Sequence, residues 1–172
     1  MTPNRVRPPR PAGPRRERGV MLLEALIAIL IFSVGILSIV GMQSVAIKNV
    51  VEGKTRSDAG FLAGQIISNM WTDTPNIGSY AYVGSGTVPT QLTAWMTRVK
   101  AILPGVDPAA VPAGVTPALP VIAVTNITTN ALGVVNGGTV QITMQWQLPQ
   151  EMNQNPPLPA HKYVVLASIY TN

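Results

Sequence analysis

The chain has 172 residues, room for about one domain. It is 47% hydrophobic and only 11% charged, fewer charges than an ordinary soluble domain carries. Its net charge of +5 is confined to the first 19 residues, where Arg5, Arg7, Arg10, Arg15, Arg16 and Arg18 face only Glu17; from Val20 onward basic and acidic side chains balance. That distribution leaves no basic footprint for DNA or RNA outside the leader, and the lack of cysteine excludes a disulfide framework or a thiolate metal site.

Residues 1–19 form the first predicted segment. Pro3, Pro8, Pro9, Pro11 and Pro14 deny it a helix or strand of any length, so it reads as a basic, disordered leader.

Residues 20–47 follow as an apolar helix. From Ala25 to Ile47 there is neither a charge nor a proline, and the ~20 residues needed to cross a bilayer are present. The arginines before it place the N-terminus in the cytoplasm and the rest of the chain outside. Three interpretations fit this segment. It can be a secretory signal peptide, with "SVA" (44–46) as the small-residue cleavage site, although the apolar run exceeds the usual ~7–15 residues. It can be a permanent single-span anchor. Or the chain can be cut before the apolar run, after Gly19.

Glu24 separates these interpretations. A carboxylate in hydrocarbon costs about 2.5 kcal/mol or more, and snorkelling toward the headgroups lowers that cost without supplying a partner. A cut after Gly19 does supply one, because Val20 then carries an α-ammonium one helical turn from Glu24. In a stack of related helices, the ammonium of one subunit neutralises the glutamate of its neighbour. Such a pair, shielded from water, specifies register, since a misplaced neighbour leaves a bare charge.

Residues 48–74 continue the helix. Ala59, Leu62, Ala63, Ile66, Ile67, Met70 and Trp71 recur at helical spacing and predict an amphipathic face. "TDTPNIG" ends it, with Pro75 after Thr74. The whole helix is then roughly 50 residues and about 75 Å long.

Residues 75–172 predict a globular head. Its first element is a short helix in "PTQLTAWMTRVKAILPG", with Thr90 as N-cap, Leu92, Trp95, Met96, Val99, Ile102 and Leu103 on one face, and Pro104-Gly105 as its stop. A proline-rich loop covers 104–120. Three strands follow, in "ALPVIAVTNI", "TVQITMQWQL" and "HKYVVLASIY". The second alternates strictly, with Val140, Ile142, Met144, Trp146 and Leu148 on one face. "VVNGG" supplies the turn before it, and 149–159 link it to the third. The expected fold is α+β, a long N-terminal helix whose amphipathic half packs on a small antiparallel sheet.

Little chemistry is visible in the head. His161 stands beside Lys162 at the start of the last strand and reads as an exposed strand-end residue. No His/carboxylate cluster or nucleophile–base pair stands out, so the sequence predicts neither enzyme, metal site nor cofactor. "GVVNGG" lacks the strand–loop–helix context of a phosphate cradle. "NIT" at Asn126 matches a glycosylation acceptor but is a short pattern that recurs by chance.

Gly19 followed by "VMLLE", the basic leader before it, and the run "ALIAILIFSVGILSIVGMQSVAIKN" leading to "SDAGFLAGQIISNMW" together resemble the class III signal and helix of type IV pilins and pseudopilins, most closely the PilV-type minor pilins. The resemblance is specific over residues 15–71 and architectural beyond. It implies that a prepilin peptidase cleaves after Gly19, that Val20 becomes the N-methylated first residue, and that Glu24 is the assembly glutamate. The implied partners are that peptidase, other major and minor pilins, and the inner membrane, with no nucleic acid indicated. The implied course runs from inner membrane, with the head periplasmic, to the pilus at the cell surface. Two features depart from the family pattern: valine stands where phenylalanine or methionine is usual, and the C-terminal disulfide and helix-loosening proline of many pilins are missing. A minor pilin that initiates or modifies assembly of a type IV pilus is the leading expectation, and the apolar details of residues 25–43 favour it. A type II secretion minor pseudopilin is the alternative within the same physical class. A membrane-anchored periplasmic binding protein is the alternative from another class, and it needs a concave site with converging polar groups.

Overall fold

The computed structural model describes residues 17–171, in which the protein is α+β: a long N-terminal helix and a small three-stranded antiparallel sheet. Helix α1 spans Glu17–Thr72. Two compact units are separable, with their boundary between Asn49 and Val50. The first holds the apolar turns of α1, and the expected leader lies largely outside the described residues. Its helix has no proline and is long and apolar enough to cross a membrane.

In the second unit the last turns of α1 bury Ala59, Leu62, Ala63, Ile66 and Met70 completely. These positions repeat every three or four residues, and each buried Leu, Ile or Met contributes about 1.5–3 kcal/mol. That packing, more than intrinsic helix propensity, stabilises a segment carrying Gly53, Gly60 and Gly64. Two members of the predicted stripe depart from it: Ile67 is half-buried and Trp71 is 46% exposed. Trp71 lies about 100° round the helix from Met70, on the flank of a stripe the head covers only along its centre.

After α1 the chain tightens into a 3₁₀ segment, Thr74–Tyr80, beginning with Pro75 near its first turn. Buried Tyr80 donates its hydroxyl to Asp73 Oδ2 at 3.0 Å. Burial first, and then that hydrogen bond and the Asp73 charge, push the Tyr80 phenol above its ordinary value.

Helix α2, Thr93–Ile102, buries Trp95, Met96 and Val99, with Leu92 and Leu103 buried at its two ends. Trp95 Nε1 donates to Leu62 O at 2.9 Å, tying α2 to α1. Thr90 is not the N-cap. It opens a short 3₁₀ turn, Thr90–Leu92, in which Leu92 N–H donates to Pro89 O, so the turn supplies an acceptor where a cap was expected. Ile102 is largely exposed because Leu103 takes the inward position at the helix end.

Strands β1 (Val121–Thr129), β2 (Val135–Trp146) and β3 (His161–Tyr170) pair antiparallel in the order β1-β2-β3. The predicted alternation of β2 holds: Val140, Ile142, Met144 and Trp146 are all buried, and Leu148 beyond the strand is buried too. Cross-strand partners Ile122 (on Ile142) and Ile169 (on Gly138) complete the core layer. A four-residue helix α3, Pro149–Met152, interrupts the β2–β3 connection.

The "VVNGG" turn is displaced. Val135 to Gly138 belong to β2, and the hairpin turns at 130–134, where Asn130 Oδ1 accepts the N–H groups of Leu132 and Val134 and Gly133 takes φ +77°. Gly137 serves close approach instead: a β-carbon there would run into the Tyr170 ring and into Ile169 O.

Candidate processing and assembly site

Along the first unit the apolar side chains are exposed on all sides of α1, from Val20 through Ile47. Two of its serines satisfy themselves on the helix backbone. Ser33 Oγ donates to Ile29 O at 2.7 Å and Ser44 Oγ to Val40 O at 3.3 Å, one turn back in each case. Glu24 is the one charged side chain between Val20 and Ile47. It is exposed and, among the described residues, has neither an ion-pair nor a hydrogen-bond partner.

Val20, Leu23, Glu24, Ile27, Ala28 and Ile31 line one shallow trough on this helix. The geometry therefore brings Val20 and Glu24 to the same face, one turn apart, as side chains at i and i+4. The Gly19–Val20 bond lies near the N-terminal end of the described part of α1.

The head holds a cluster that sequence spacing concealed. His161 Nε2 lies 2.9 Å from Glu151 Oε1, and His161 Nδ1 lies 3.8 Å from Glu52 Oε1. The imidazole stacks on Trp146, with centroids 5.6 Å apart and planes 10° from parallel. Glu151 is buried, and its Oε2 accepts the Leu148 N–H at 2.9 Å. His161 is thus not simply an exposed strand end: it ties the helix α1, the short α3 and the strand β3 together. Among the described residues no three His, Asp or Glu side chains converge tightly enough to hold a metal ion. Removing the Glu151 carboxylate strands the Leu148 N–H and one side of the imidazole. Glu151→Ala is expected to destabilise the head by about 2 kcal/mol, less than a fully buried pair would because His161 and Glu52 reach solvent. A lowered denaturant midpoint for the full chain in detergent checks this; an unchanged midpoint refutes it.

No protein-family model, curated protein or solved structure matches this chain.

Proposed function

We propose that this protein is a minor pilin of a type IV pilus, processed by a prepilin peptidase between Gly19 and Val20 and held by its apolar helix in the inner membrane before assembly. The observation that carries the proposal is Glu24: a carboxylate with no partner among the described residues, on an exposed apolar helix, one turn from the residue that processing would turn into a cation. Helix packing with other pilins covers the exposed apolar side chains and supplies the charge partner at once. The head, folded on the amphipathic turns of α1, is carried outside.

Intact-mass measurement of protein extracted from cell envelopes tests this reading. The expected species begins at an N-methylated Val20. A species beginning at Met1 supports a simple anchor, one beginning near Ile47 supports a secretory signal, and either result overturns the proposal.

A further inference from the structure

The outward face of β2 carries a polar row, Thr139, Gln141, Thr143, Gln145 and, just past the strand end, Gln147. At its C-terminal end this row forms the floor of a cleft of about 360 Å³, walled by residues 114–118 on one side and Pro157, Leu158 and Ala160 on the other. Its volume is within the ~300–1,000 Å³ usual for small-ligand sites.

The cleft is built on backbone hydrogen bonds. Gln147 N–H donates to Pro104 O at 3.0 Å and Ala118 N–H to Gly105 O at 2.8 Å, which straps the proline-rich loop across the end of β2. Gly105 has φ +76°, and a β-carbon there would fall 2.8 Å from Gln147 O, so the strap requires glycine at this position.

Two carboxamides decide what the cleft recognises. Gln145 Nε2 donates to Leu119 O at 2.9 Å, and Gln147 Nε2 donates to Leu158 O. A backbone carbonyl only accepts, so these bonds fix the orientation of both amides. Both Oε1 atoms are left over, and neither accepts a hydrogen bond among the described residues. Gln147 is only 4% exposed, so its side chain is held in place while its oxygen stays unused.

No ionisable or aromatic residue lines the cleft. It therefore lacks the ion pairs that hold acidic ligands and the stacking platforms that hold bases. What it offers is two neutral acceptors, two residues apart on an extended chain, between apolar proline- and leucine-bearing walls. Residues two apart on a strand are separated by about 6.6 Å, which is also the interval at which an extended peptide presents N–H groups along one edge.

We infer that this cleft binds an extended, uncharged polypeptide segment, with two of its backbone N–H groups, at positions i and i+2, donating to Gln145 Oε1 and Gln147 Oε1. The site lies in the head and does not depend on how the N-terminus is processed.

The test uses the full chain in detergent micelles, with the side-chain amide resonances of Gln145 and Gln147 as reporters. The probe is a capped Thr-Val-Thr-Val-Thr-Val peptide. Its twins are N-methylated at the three threonines or at the three valines, each removing the N–H donors of one edge. The parent peptide is expected to shift both amide resonances saturably, and one of the two methylated twins to bind at least about tenfold more weakly. Ala160→Trp, which places an indole on the wall of the cleft, is expected to abolish the shifts. Absence of shifts with millimolar parent peptide, equal binding by all three peptides, or shifts with maltohexaose but not with peptide would each overturn the assignment.

Discussion

Gly19→Trp is expected to leave the protein at full length, with the Val20-initiated form reduced about a hundredfold or more. Under the proposed processing, a peptidase brings the Gly19–Val20 peptide bond against its reacting groups, and a residue without a β-carbon lets the backbone come closest. An indole at that position displaces the bond by an ångström or more, enough for a loss of that size. The apolar stretch from Val20 onward is untouched by the change, so the unprocessed chain should still fractionate with the membrane. Gly19→Ala, which adds a single methyl, should retain part of the cleavage. The measurement is the intact mass of envelope-extracted protein, wild type beside variant. Cleavage of the tryptophan variant at the wild-type rate would mean that the cut is elsewhere.

The parts of this molecule legible in its sequence are those written in local periodicity. The uncharged run from Ala25 to Ile47, the three-and-four spacing of Leu62, Ile66 and Met70, and the alternation of Val140, Ile142, Met144 and Trp146 each depend on neighbours within a few turns or residues. Glu24 is legible for the same reason, since a lone charge in an apolar run stands out without any knowledge of the fold. The illegible parts arise from tertiary contact. Glu52 and His161 are brought together only when β3 docks beside α1, and no spacing announces it. The glycines of "VVNGG" suggested a turn, yet Gly137 answers to Tyr170 on the adjacent strand. The upward displacement of the Tyr80 phenol depends on Asp73 and on burial by the assembled head.

The cleft over Gln145 and Gln147 was hidden for a further reason. Its walls are irregular loops held by backbone hydrogen bonds, and backbone groups are the same for every residue type. A proline-rich stretch can be recognised as loop from composition, but which carbonyl it offers to which strand end cannot. Gln145 and Gln147 share the polar face of β2 with Gln141 and differ from it because loops close over them.

Glu24→Ala is expected to be cleaved normally and yet to enter filaments about a hundredfold less efficiently. Cleavage should survive because the scissile bond lies a turn away and alanine sustains the helix at least as well as glutamate. For the isolated subunit the change is favourable, since it removes a charge that costs about 2.5–3.5 kcal/mol at the centre of a membrane helix and somewhat less near its end. Assembly reverses the balance. In the proposed assembly, processing leaves an ammonium on every subunit, and in a water-excluded stack of helices that cation needs a carboxylate. Deleting one member of a buried ion pair costs about 3–5 kcal/mol because the other stays buried and unpaired, and 3 kcal/mol is roughly two orders of magnitude in an equilibrium constant. Glu24→Gln keeps the shape and one acceptor oxygen but not the charge, so it should recover only part of the loss. If the role of Glu24 were merely to sit at the headgroups, both variants would be incorporated as well as wild type. The ratio of variant to wild-type protein in sheared filaments, normalised to the membrane pool of processed subunit, distinguishes the two outcomes. A ratio near one for the alanine variant would remove the electrostatic basis of the proposed assembly.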